Sequence, residues 1–155
     1  MEKSKLIIAQ LNELLAINYY VEKIYLDALN EVENDYLKHF CRAMAFERSE
    51  FCRFIGAEII QQGGKPKYPE HIKHKSNLIW SNLKYIICVN DNKALVDELV
   101  RIKTWSIQKY EDVMSAVDFP SQLSELLNKQ KSILEKSLRS VKSKKYNFNQ
   151  LRTAN

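Results

Sequence analysis

Glycine and proline are scarce in this chain, with three of each in 155 residues. That scarcity disfavours a β protein, whose closely spaced turns draw on both. No apolar run reaches the ~20 residues a helix needs to cross a bilayer. The opening MEKSKLIIAQLNELL lacks the apolar stretch and small-residue cleavage site of a secretory signal. Cys41, Cys52 and Cys88 are odd in number and have no framework spacing, so a reducing, cytoplasmic setting is expected. On one helix Cys41 and Cys52 would stand about 16 Å apart, too far to bridge. There is no glycine-rich phosphate loop, nucleophile elbow or Ser/His/Asp constellation. No catalytic residue and no organic cofactor are therefore assigned.

What the chain does have is helical periodicity and an uneven charge. Residues 1–64 carry seven Lys/Arg and ten Asp/Glu, whereas residues 65–155 carry seventeen and nine. The basic half, including Lys142, Lys144, Lys145 and Arg152, invites the thought of a polyanion. Positive charge at a helix C-terminus has a simpler cause in the helix dipole. No nucleic-acid motif or aromatic ladder accompanies it, so neither a nucleic-acid nor a membrane partner is expected.

The first helix is read from about Ser4 to Val32. Its seam is Ile7, Leu11, Leu14, Asn18, Val21, Tyr25, Ala28 and Val32, with alternating spacings of three and four. Asn34 or Asp35 caps a second helix that runs to about Gln62, where Gly63-Gly64-Lys65-Pro66 stops it. Its seam is read as Leu37, Phe40, Met44, Glu47, Phe51, Phe54/Ile55 and Glu58. A short helix is expected over roughly Lys75–Val89, and a long one over Asn92–Val117 on Leu95, Leu99, Ile102, Ser106, Tyr110 and Val113. The last helix spans about Ser121–Ser143 on Leu123, Leu127, Gln130, Ile133/Leu134, Ser137 and Val141. Two helical hairpins joined by a short crossing helix make an all-α, up-down four-helix bundle over residues 1–145, with 146–155 as a tail.

The carboxylates carry the chemistry of this reading. A turn near residue 34 sets Glu22 level with Glu47, and Glu50 one helical turn further along, opposite Asn18 and Tyr19. Carboxylates gathered in a bundle interior repel one another and raise each other's pKa, so protons, a metal, a cation or water must compensate. Di-iron and di-manganese bundles use one Glu from each of two helices and Glu-x-x-His from each of the others. Here the segment Phe46–Phe51 gives Glu-x-x-Glu. The second hairpin offers Lys103, Ser106, Tyr110, Gln130, Ile133, Leu134 and Ser137 at that level, without a carboxylate or histidine. A tentative metal set is thus Glu22, Glu47 and Glu50, for iron or manganese. The blander reading turns one or two of them to the bundle edge, where Arg48 and Arg42 are partners from the same helix. His71 and His74, with Glu70, form at most a weak surface site, short of a fourth ligand.

Several pieces in order carry a family likeness. They are Leu11–Leu15, Tyr25 with Ala28, Phe46–Phe51, Ile59 ahead of Gly63–Pro66, Trp80 with Lys84, Leu95 with Glu98, Tyr110-Glu111, and Gln130 with Ile133. Over about residues 6–141 the chain resembles a bacterial ferritin-like four-helix-bundle family of unknown function. The resemblance implies a ferritin-like fold and no established activity. Where that family has His-Arg before the Trp, this chain has Asn77 and Leu78; where it has Gly-Glu in the fourth helix, this chain has Ile102-Lys103. Lys103 is accordingly the expected charge partner of the Glu22/Glu47 pair in place of a metal. The polar core is expected to hold Asn18, Tyr25, Ser106, Tyr110 and Gln130. The expected function is non-catalytic, through association with itself or another protein. The alternative is a carboxylate metal protein that oxidises Fe(II).

Overall fold

The computed structural model describes residues 2–69, 79 and 81–143. All secondary structure among these is helical: α1 (Glu2–Leu29), α2 (Asp35–Gln61), α3 (Leu83–Cys88), α4 (Asn92–Ala116) and α5 (Ser121–Lys142). All four long helices start within two residues of the positions that the periodicity and the caps predict, and all four end within three. The short helix begins later than expected, since residues 81 and 82 are not helical. Glu70, His71, His74, Asn77, Leu78, Trp80, Lys144, Lys145 and Arg152 lie outside the described residues.

Side-chain caps set two of the starts. Asn34 Oδ1 accepts the Leu37 N–H at 3.1 Å, and Asp91 Oδ1 accepts the Ala94 N–H at 3.0 Å. Each satisfies one orphan donor of a first turn, a contribution of about 1 kcal/mol. At the end of α2, Gly63 takes φ +88°, the left-handed conformation that favours glycine. Gly64 then packs so tightly on α1 that a Cβ would fall 2.7 Å from Ile8. The segment after it is held to α1 by Asn12, which donates to the Lys65 carbonyl and accepts from the Lys67 N–H.

Helix α1 packs along α2 and also against α3 and α4, while α5 packs along α4. The interior falls into two apolar clusters. One joins Tyr25, Ala28, Leu37, Phe40 and Cys41 to Leu83, Ile87, Leu95, Leu99 and Ile102. The other joins Ile7, Leu11, Leu14, Phe51, Ile55 and Ile59 to Tyr110, Val113, Leu123, Leu127 and Leu134. Between them lie buried polar and charged groups: Asn18, Arg48, Lys103, Ser106 and Gln130.

Helix α2 is rotated from the expected seam. Its buried row is Leu37, Cys41, Ala45, Arg48, Cys52, Ile55 and Ile59, with Phe40 and Phe51 beside it. Phe54 is exposed, and Met44, Glu47 and Glu58 are half-buried. The observed row keeps helical spacing throughout and is apolar except at position 48. Expecting an arginine to face water displaces the seam by about one residue, or roughly 100°.

Candidate functional site

A continuous hydrogen-bonded chain crosses the middle of the helices, and Arg48 is at its centre. Arg48 Nη1 donates to Asn18 Oδ1 on α1 at 3.1 Å, and Nη2 donates to Ser106 Oγ on α4 at 3.0 Å. Ser106 Oγ passes its own hydrogen to the Ile102 carbonyl at 2.8 Å. Asn18 Nδ2 donates to the Leu14 carbonyl and to the Tyr110 hydroxyl, both at 2.9 Å. The Tyr110 hydroxyl donates to Gln130 Oε1 on α5 at 2.6 Å, and Gln130 Nε2 reaches the Phe51 carbonyl on α2 at 3.4 Å. One network therefore ties α1, α2, α4 and α5.

Local sequence makes room for it. Arg48 has Ala45 three residues before it and Cys52 four after, both small and both on its own buried face. Its guanidinium can then reach across the helix interface with only 1 % of the residue exposed. A buried guanidinium keeps its charge, so polar acceptors must replace water. Asn18 and Ser106 do this with neutral oxygens. Burial pushes the Tyr110 hydroxyl above its usual range, which keeps it a donor to Gln130.

Beside the network stands a second cation. Lys103, 1 % exposed, donates to the Met44 sulfur at 3.3 Å, and its ammonium lies 6.0 Å from the Tyr25 ring centroid. Burial first, and then the Arg48 charge, lower its pKa to about 8, with Glu47 opposing them. Among the described residues no ion pair joins Lys103 to Glu22 or Glu47. Two buried polar atoms here have no hydrogen-bond partner among the described residues, the Tyr25 hydroxyl and Glu47 Oε1.

The three glutamates take different surroundings. Glu47 is half-buried, and its charge acts on Tyr25, Lys103 and Tyr110. Glu22 is half-buried towards Cys52 and Tyr68, whose pKa values its charge raises; burial lifts its own carboxyl above the usual range. Glu50 lies on the outer side of α2, paired with Arg53 at 2.6 Å, which holds its carboxyl low. Among the described residues no three His, Cys, Asp or Glu side chains come together as a metal would require. The expected polar residues Asn18, Tyr25, Ser106, Tyr110 and Gln130 are all buried.

Two further groups, Arg48 and Glu98, hold helices together in ways that their sequence positions do not announce. The sequence pairs Arg48 with glutamates of its own helix, whereas the structure bonds it to Asn18 on α1 and Ser106 on α4. Its interval of seven residues from Cys41, on a row of small and apolar residues, is the signal that marks it. Glu98, buried, accepts from Ser81 Oγ at 2.7 Å, the Asn82 N–H at 3.1 Å and the Arg101 guanidinium at 2.7 and 2.9 Å. It pins the approach to α3 onto α4. Burial works to raise its pKa, but the bonds from Arg101, Ser81 and Asn82 outweigh that and hold it low.

Cys41, Cys52 and Cys88 are free thiols; burial pushes the first two up to about 12, which leaves them unreactive. No helix of the described residues is long and apolar enough to cross a membrane. Comparison with curated proteins and with solved structures returns no match. A family model does match, over residues 6–116, and so covers α1 beyond its first turn and all of α2 to α4. The chain belongs to that family, the domain of unknown function DUF2383.

Proposed function

We propose that this chain is a ferritin-like four-helix bundle, as in the bacterial family it resembles, and that it works by protein association rather than catalysis. Residues 1–145 form the domain, and the cytoplasm is its setting. The observation that carries this reading is the buried Arg48 guanidinium, bonded to Asn18 and Ser106 in mid-bundle. Carboxylate metal proteins of this architecture hold their cations at that level. A permanent positive charge there, with Lys103 beside it, opposes a divalent cation electrostatically. The carboxylate site is degenerate in this account, and Glu47 is its remnant.

The alternative is an iron or manganese protein using Glu22, Glu47 and Glu50. It draws on Glu47 Oε1, a buried acceptor without a partner among the described residues. Elemental analysis after anaerobic loading with Fe(II) or Mn(II) and desalting separates the two. The association reading expects no retained metal. One or two metals per chain, lost in Glu47→Ala, would establish the metalloprotein instead.

A further inference from the structure

Met44 and Lys103 bring a thioether and an amine together across the bundle. Lys103 Nζ on α4 lies 3.3 Å from Met44 Sδ on α2. That is within the about 3–3.5 Å at which two reacting atoms are already placed to combine. A thioether is a weak acceptor, so this bond does little to satisfy a buried ammonium. Among the described residues no carboxylate forms an ion pair with the Lys103 nitrogen. The titratable and charged groups around it are Tyr25 on α1 and Glu47 and Arg48 on α2. Burial and the Arg48 charge both favour the free amine over the ammonium. Loss of the proton leaves a nitrogen lone pair beside the sulfur.

The two residues differ in access. Lys103 is 1 % exposed, whereas Met44 is half-buried. A small oxidant entering from solvent therefore meets the thioether before the amine. An oxidised methionine sulfur is ordinarily trapped by water as the sulfoxide, which methionine sulfoxide reductases reverse. Here an amine is already at contact distance, and a well-positioned group reacts as though present at about 10⁵ M or more. The amine is thus favoured over water as the trap.

We propose that Met44 and Lys103 are an oxidative modification site, at which a hypohalous acid joins sulfur to nitrogen and ties α2 covalently to α4. Hypochlorous acid transfers its chlorine to the Met44 sulfur, giving a chlorosulfonium and hydroxide. The neutral Lys103 nitrogen attacks that sulfur, and chloride leaves. The nitrogen then gives up both of its protons, one of them to the hydroxide, and a neutral sulfilimine remains. The sulfur loses two electrons and the chlorine gains them; water, chloride and one proton are the other products. The bond removes the positive charge of Lys103. It contains no sulfoxide oxygen, so sulfoxide reductases have nothing to remove.

Treatment of the folded full chain with graded hypochlorous acid, followed by tryptic digestion and mass spectrometry, tests this. Cys88, an exposed free thiol, is first capped with iodoacetamide so that it does not consume the oxidant. The expected main product at Met44 joins peptides 43–48 and 102–109, with the cleavage after Lys103 lost. Its mass is lower than that of the two peptides together by two hydrogen atoms, and it resists methionine sulfoxide reductase. Met114 is also half-buried, but among the described residues no lysine donates to its sulfur, and it gives the sulfoxide alone. Met44→Leu and Lys103→Met each abolish the joined peptide, and in Lys103→Met the Met44 sulfur goes to sulfoxide. Sulfoxide as the main product at Met44 in the unaltered protein overturns the proposal. So does a Met44 that stays unreacted at doses converting Met114, or one joined to a different lysine.

Discussion

Replacing Lys103 by methionine should make the protein more stable, with a margin that depends on pH. The side chain is 1 % exposed, and its pKa falls from 10.5 to about 8 on folding. Below pH 8 both the folded and unfolded chains hold the proton, and the buried charge carries its full penalty. At about 1.4 kcal/mol per pKa unit, that penalty is about 3 kcal/mol. Between pH 8 and 10.5 the folded chain has shed a proton that the unfolded chain still binds. The unfolded state then binds more protons, so stability rises with pH and the penalty shrinks to about 1.5 kcal/mol at pH 9.5. Methionine keeps the length of the side chain and removes the charge, a replacement that buried cations tolerate well. Urea unfolding of both proteins at pH 7 and pH 9.5 is the assay. We expect Lys103→Met to gain about 3 kcal/mol at pH 7, or about 6–12 °C in Tm for a chain of this size, and about half that at pH 9.5. Other titrating groups cancel in the difference between variants. A gain that is equal at the two pH values would refute the reasoning. So would a loss at pH 7, which would mean that Glu47 compensates the ammonium as an ion pair.

Two further outcomes follow from the geometry. Tyr110→Phe removes the link between Asn18 and Gln130, leaving Gln130 Oε1 without its donor; urea unfolding should show a loss of about 1–3 kcal/mol, and an unchanged midpoint would mean the network is not a unit. Glu98→Gln should cost about 1.5–3 kcal/mol at pH 7, the range for hydrogen bonds to a charged group. The Glu98 pKa is depressed, so its contribution is fully present above the unfolded value of 4.5 and is lost progressively as pH falls from there through the lower folded value. Unfolding compared at pH 7 and at successively lower pH below 4.5 checks this, and a deficit that does not shrink as the pH falls would contradict it.

The helices were legible because long amphipathic segments carry repeated, mutually consistent signals. The seam of α1 reads correctly from Ile7 to Ala28, and that of α4 from Leu95 to Val113. Helix α2 was less legible because its buried row contains an arginine. Hydrophobic pattern alone assigns Arg48 to water and turns the face towards Glu47 and Glu58. Only the third dimension shows that Asn18 and Ser106, thirty residues before and fifty-eight after, supply its acceptors. Glu50 illustrates the same limit: its partner Arg53 is three residues away, a pairing that sequence permits but cannot choose over a buried one. The role of Glu98 is not legible because Ser81 and Asn82, which bond it, stand ahead of α3 rather than inside the helix expected over 75–89.

The central claim is that the buried Arg48 guanidinium, held by Asn18 and Ser106, occupies the place between α1, α2 and α4 that the proposed function denies to a metal. The most direct measurement is the nitrogen–proton NMR spectrum of the Arg48 guanidinium, recorded before and after one equivalent of Mn(II). The account predicts hydrogen exchange far slower than for the exposed Arg42 and Arg53, and no selective broadening by the metal. Exchange as fast as at those two residues, or broadening of Arg48 ahead of them, would contradict it.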